Sequence, residues 1–229
     1  MLAIASTFKS GEPSLRVLLD EIHKGSIQLP DFQRGWVWDD DHIRSLIASV
    51  SLSYPIGALL TLETGGAGVR FRPRLVEGVR LGDVPAPQLL ILDGQQNMTS
   101  LYLSLRSGSA VATTTDKGKP IDRVYYLDMA RAVSPAEDRL DAVVSIPPAR
   151  KLLSDFNRKV DLDVSTPELE YRTGYFSPWR CCSTPSGCRH GGAATPSFIG
   201  TTKPSSISLT RSRPRSSNAF SSIAYPPSS

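Results

Sequence analysis

Apolar and polar positions alternate along the first hundred residues in two different rhythms, and each change of rhythm predicts an element boundary. Leu15, Leu18, Leu19 and Ile22 fall at i, i+3, i+4 and i+7 behind Glu12-Pro13-Ser14, which predicts a helix that Gly25 closes. Ile27-Gln28-Leu29 predicts a short extended segment, kept extended by Pro30. Residues 31–38 follow neither period and predict a loop, although they hold two tryptophans and an arginine. Asp39, Asp40 and Asp41 predict the start of a second helix with Ile43, Leu46, Ile47 and Val50 on one stripe. Tyr54-Pro55-Ile56-Gly57 predicts a turn and residues 58–62 a strand. Gly65-Gly66-Ala67-Gly68 then predicts a hairpin-type connection to Val69-Arg70-Phe71-Arg72. Those glycines are not a phosphate loop, because no Gly-Lys-Ser/Thr ending and no helical pattern follow them.

The sharpest change of rhythm lies within residues 88–102. An apolar run, Leu89-Leu90-Ile91-Leu92, stops at Asp93-Gly94 and passes directly into a helical spacing of Met98, Leu101, Tyr102 and Leu105. Further on, residues 107–120 predict a polar connection and residues 122–128 a strand. Ser134-Pro135-Ala136-Glu137 predicts a helix start, residues 143–147 a short apolar segment, and residues 151–158 one or two helical turns. This succession argues an α+β fold, a mixed sheet with packed helices.

Charge and composition divide the chain in two. Residues 1–176 hold 20 basic and all 22 acidic residues, whereas the last 53 hold six basic and no acidic ones. The basic pI therefore belongs to the tail, and the whole chain is not to be read as seeking nucleic acid. That tail contains 14 Ser, 5 Thr and 7 Pro without helix or strand period, so it cannot bury enough apolar area to offset chain entropy. The expectation is a folded domain over 1–176, C-terminally truncated, followed by a disordered tail over 177–229 that is translated out of the ancestral frame. No stretch reaches the roughly 18 to 20 continuous apolar residues of a membrane span, and no secretory signal begins the chain, so a cytoplasmic location is expected. All three cysteines, Cys181, Cys182 and Cys188, lie in the tail, which gives no disulfide framework; with His190 they fit no zinc-ligand spacing, and no metal site is expected.

Two stretches carry candidate chemistry. At the strand-to-helix junction, Gly94 permits positive φ or a close backbone approach, and the first N–H groups of the next helix are ready to meet an anion. Asp93 there could hold a metal through water or take a proton from an attacking water, and Gln95 and Gln96 could donate and accept at a base, ribose or phosphate. In the aromatic loop, Arg34 is either a surface residue stacked on a tryptophan or a phosphate clamp.

Taken together, Pro30-Asp-Phe-Gln-Arg-Gly-Trp-Val-Trp38, Tyr54-Pro-Ile-Gly57 and Leu92-Asp-Gly-Gln-Gln-Asn-Met-Thr-Ser-Leu-Tyr102 resemble the N-terminal domain of GmrSD-type restriction endonucleases, from about Leu15 to Phe176 and including residues 161–171. That family has a ParB/sulfiredoxin-like core carrying an FQR and a DGQQR motif. The resemblance implies a module that binds and hydrolyses a nucleoside triphosphate, with Mg2+, and licenses DNA cleavage against phage. The nuclease would be a separate domain or subunit, so that DNA is an indirect partner. It assigns Asp93 and Gln95 to catalysis and Gln33, Arg34, Gly94, Gln96 and Asn97 to nucleotide binding. Asn97 departs from the family pattern, which has Arg there, and a neutral amide cannot replace a guanidinium as a charge-assisted phosphate ligand. The alternative is therefore a catalytically impaired remnant acting only as a binding module. A His-Asn-His nuclease centre is not expected in this chain, whose histidines are His23, His42 and His190.

Overall fold

Ser14 starts the first helix by accepting a hydrogen bond from the Val17 N–H, and α1, Leu15–His23, turns Leu19 and Ile22 fully inward. Gly25 at φ 76° ends it and leads into β1, Ile27–Pro30. Asp39 caps α2, Asp40–Ser51, whose Ile43, Leu46 and Ile47 stripe is buried as the spacing predicts. Then come β2 (Leu60–Glu63), β3 (Pro73–Arg74), β4 (Leu89–Asp93) and α3 (Gln95–Leu105). The computed structural model describes residues 11–65, 71–156 and 158–177. These lie in the first of two units, Met1–Thr195 and Pro196–Ser229, and the second unit falls wholly outside the described residues.

The four strands form one sheet in the order β2-β4-β1-β3, with β1 and β4 parallel and the other pairs antiparallel. The hairpin expected across residues 65–68 is thereby overturned, because β2 and β3 stand at opposite edges. The reason is burial: Ile27, Leu29, Leu90 and Ile91 are nearly inaccessible and take the centre, while the half-exposed β2 and β3 take the rims. Residues 66–70 of the connection lie outside the described residues. The helix α3 is also more deeply set than an amphipathic stripe predicts. Eight of its eleven residues are buried, among them Gln95, Thr99, Ser100 and Ser104.

The second half is built on β6, Pro120–Asp128, the longest strand. It pairs with β5 (Val111–Thr114), β7 (Val143–Ile146) and β10 (Tyr175–Phe176). The strand β5 replaces part of the expected polar connection, its period of two hidden among threonines. Strand alternation divides β6 between two cores: Tyr125 and Leu127 join the main cluster under the first sheet, and Val124 and Tyr126 join a smaller one with Ile146, Leu162 and Val164. Two short helices, α4 (Met129–Ala132) and α5 (Arg139–Ala142), precede β7. The helix expected to start at Ser134-Pro135 thus begins four residues later, because Asp138 rather than Ser134 supplies the capping oxygen.

The expected helical turns at 151–158 are instead a hairpin of β8 (Lys151–Ser154) and β9 (Lys159–Asp163). Its tip holds Asp155 and Phe156 at φ 49° and 52°, a geometry that ends any helix. The helix α6, Pro167–Thr173, is capped by Thr166 with Pro at its first turn and lies before β10. Asp40 ties the two halves together, accepting at 2.8 Å from both the Tyr125 hydroxyl and the Ser145 hydroxyl. The architecture is α+β, as the succession of elements predicts. No helix among the described residues is long and apolar enough to cross a membrane. The residues expected to form a disordered tail lie, beyond Ser177, outside those described, as do the cysteines.

Candidate functional site

The site is assembled at the end of β4. Its backbone leaves the strand at Asp93, passes through Gly94 at φ 85° and enters α3 without any side-chain cap. Glycine is required here on two counts. The left-handed conformation disfavours a side chain, and a Cβ would sit 3.2 Å from both the Ala58 carbonyl oxygen and the Leu59 Cδ1. Asp93 turns back to accept the Gly94 N–H at 2.8 Å through Oδ1. The first turn of α3 thus begins with no side-chain capping hydrogen bond, an arrangement that suits an anion.

The aromatic loop is fastened over this junction mainly by carboxamides. The parallel pairing of β1 with β4 stops at Leu90, and the Gln33 side chain continues where β1 leaves off: its Nε2 donates to the carbonyls of Ile91 at 3.0 Å and Leu92 at 2.7 Å. From α3, Gln95 donates to the Arg34 carbonyl at 2.7 Å. Gln96 makes a reciprocal pair, donating to the Gly35 carbonyl and accepting from the Val37 N–H, both at 3.2 Å. Asn97 reaches the other wall, where its Nδ2 donates to the Ile56 carbonyl at 2.6 Å.

Three further fasteners went unseen in the sequence. The Trp36 indole N–H donates to the Ser100 hydroxyl at 2.8 Å. Thr113 donates to the Trp38 carbonyl at 2.6 Å. Arg74, oriented by Glu77 at 2.9 Å, donates to the carbonyls of Gln33 at 3.3 Å and Arg34 at 3.2 Å. Arg74 lies forty residues from its targets and no local pattern marks it. Tyr54-Pro-Ile-Gly57 was legible as a turn, but its role as the site's second wall follows only from the Asn97 contact.

All seven candidate site residues, Gln33, Arg34, Asp93, Gly94, Gln95, Gln96 and Asn97, line one open groove of about 550 Å³, together with Phe32, Gly57, Ala58 and Leu92. They differ in what they leave available. The amide nitrogens of Gln33, Gln95, Gln96 and Asn97 are engaged with backbone carbonyls, and Gln95 is only 5% exposed. Arg34 is exposed, and among the described residues its guanidinium has no hydrogen bond or ion pair, although its carbonyl oxygen is held by Gln95 and Arg74. Asp93 is exposed and is the one acid among the residues lining the groove. A magnesium ion bound through phosphates and one carboxylate suits that donor set. Among the described residues no group of three or more His, Cys, Asp or Glu forms a protein-only metal cage.

The fold and groove define an α+β domain with an anion-ready strand-to-helix turn faced by a fixed arginine loop. Residues 15–176 match the family described as the GmrSD restriction endonuclease, N-terminal domain, and the chain belongs to that family. It is also similar to Uncharacterized protein MJ0686 of Methanocaldococcus jannaschii, at 30% identity over 128 residues. The match covers 54% of this chain and 21% of that relative, so the chain spans about a fifth of the relative's length.

Proposed function

We propose that the groove binds a nucleoside triphosphate, with Mg2+, and that the domain hydrolyses it to license DNA cleavage by a nuclease outside the described residues, as part of phage defence. The observation that supports this reading best is Arg34. Its backbone is clamped by Gln95 and Arg74 while its guanidinium is left without a protein partner among the described residues, beside a helix start that has no side-chain cap. A planar guanidinium donates two parallel hydrogen bonds to a phosphate, and the first N–H groups of α3 receive a second one. Asp93 would orient or deprotonate the water that attacks the terminal phosphorus, and the magnesium ion, when bound, would offset charge on the phosphate oxygens. Gln95 acts in this reading by holding the Arg34 carbonyl rather than by touching water.

The test is a thermal-shift series with each nucleoside triphosphate and magnesium. A ligand present at a hundred times its dissociation constant should add about 2.7 kcal/mol of stability, and Arg34→Ala should remove the shift. Absence of a shift with every triphosphate would overturn the proposal.

One contact favours a second reading, in which the domain binds without hydrolysing. The Asn97 side chain is committed to the Ile56 carbonyl and so to the shape of the groove wall. Phosphate release by Asn97→Arg separates the two: a gain of turnover marks a damaged enzyme, and unchanged release with retained binding marks a binding module.

A further inference from the structure

The lining of the groove contains one aromatic ring, that of Phe32. The carboxamide nitrogens of Gln33, Gln95, Gln96 and Asn97 each donate to at least one backbone carbonyl, which ties these side chains to the loop and the groove wall. Phe32 lines the same groove and is 60% exposed, so much of its ring is open to the groove and solvent. It is also steadied: Phe71 meets it edge to face, with ring centroids 5.1 Å apart and planes inclined at 62°. That contact orients the ring and leaves area free for a flat partner. Phe32 and Arg34 flank the inward-turned Gln33, so their Cα atoms are at most about 7 Å apart, the scale on which a base stands from its phosphates. Gly57, Ala58 and Gly94 bring little or no side chain into the remaining space.

Resting on the triphosphate reading above, we infer that Phe32 is the base platform of the groove and that selection is by stacking rather than by hydrogen bonding. Purine nucleotides then bind more tightly than pyrimidine nucleotides, because the larger ring covers more of the phenyl face. ATP and GTP bind alike, because a stacked base is held by its face and not by the edge on which they differ.

Titration calorimetry on the full chain tests this with ATP, GTP, UTP and inorganic tripolyphosphate, each with magnesium. Phe32→Ala should weaken ATP by about 5- to 150-fold, the usual worth of one base–aromatic stack, and leave tripolyphosphate unchanged. Phe32→Trp should restore ATP binding, and Arg34→Ala should weaken ATP and tripolyphosphate together. If ATP binds and Phe32→Ala leaves its affinity unaltered, the platform is wrong while the phosphate site stands. A strong preference between ATP and GTP overturns selection by stacking alone. If neither ATP nor tripolyphosphate binds, the triphosphate reading fails and the platform fails with it.

Discussion

The loop at 31–38 and the hairpin tip at Asp155 and Phe156 both carry an exposed phenylalanine, Phe32 at 60% and Phe156 at 97%, but they are shaped by opposite means. The first has no regular structure, and side chains from three other places fasten it: Gln95, Gln96 and Ser100 on α3, Arg74 on β3, and Thr113 on β5. The second is shaped by its own backbone, with two left-handed residues and the pairing of β8 with β9. A loop defined by remote contacts can hold Arg34 and Phe32 at fixed points beside Gly94; a turn defined locally carries its ring wherever the hairpin goes. This contrast predicts that damage at the first region spreads and damage at the second does not.

The largest effect should come from Gly94→Val. It places a branched side chain at φ 85° against the Ala58 carbonyl and should cost about 3 kcal/mol, lowering Tm by roughly 6–12 °C for a domain of this size. Gly174, at φ 73° with nothing within 4 Å of the place a Cβ would take, is the control for conformational strain alone, and Gly174→Val should lose less. Equal losses at the two glycines would refute the argument from close packing.

Next is Gln33→Ala, which strips the carbonyls of Ile91 and Leu92 of their shared donor. The expected loss is about 2 kcal/mol by chemical denaturation, with triphosphate affinity falling as well, since Arg34 is its neighbour. A stable variant with unchanged affinity would mean that the loop keeps its place without this bond.

A smaller effect separates by pH the helix pair α1 and α3, the latter being the loop's main anchor, from the hairpin. Burial, with Arg106 adding to it, holds the His23 imidazole below its ordinary range, where it lies 3.0 Å from the Tyr102 hydroxyl on α3. The unfolded chain therefore binds that proton more readily than the folded one. The stability His23 contributes is present in full above about pH 6.5 and is lost as the pH falls through the lowered value. In the hairpin, Lys151 and then Ser165 hold the Asp163 carboxyl down to about 2, so its contribution is lost only as the pH falls from near 4 towards 2. Melting curves between pH 8 and 5 should show a decline that His23→Gln reduces and Asp163→Asn does not.

The smallest effect belongs to Phe156→Gly. It removes a ring that packs on almost nothing and relaxes a left-handed position, and should change stability by no more than about 0.5 kcal/mol with nucleotide affinity unchanged. A large loss at this position would show that the hairpin tip is a structural contact after all.

The sequence alone determined the elements whose signals are local. Ser14 and Asp39 as caps, the stripes of α1 and α2, the apolar run of β4, and the Gly94 turn could all be read because hydrophobic period and backbone geometry are properties of neighbours in the chain. Asp93, Gly94, Gln95, Gln96 and Arg34 stood out by residue type and place in the chain, whereas Gln33 and Asn97 were named only by the family resemblance. Where the local signal was weak or divided, it misled: 151–158 holds apolar residues compatible with either period, and strand pairing settled the matter. Tertiary structure decided the rest. Sheet order placed β2 and β3 on opposite rims because the most apolar strands claimed the centre, and no local pattern encodes that competition. It also divided the labour within the motifs. The carboxamides fasten the loop, and Arg34, Asp93 and Phe32 face the groove, because which polar groups are consumed internally depends on the carbonyls that folding brings within about 3 Å of them.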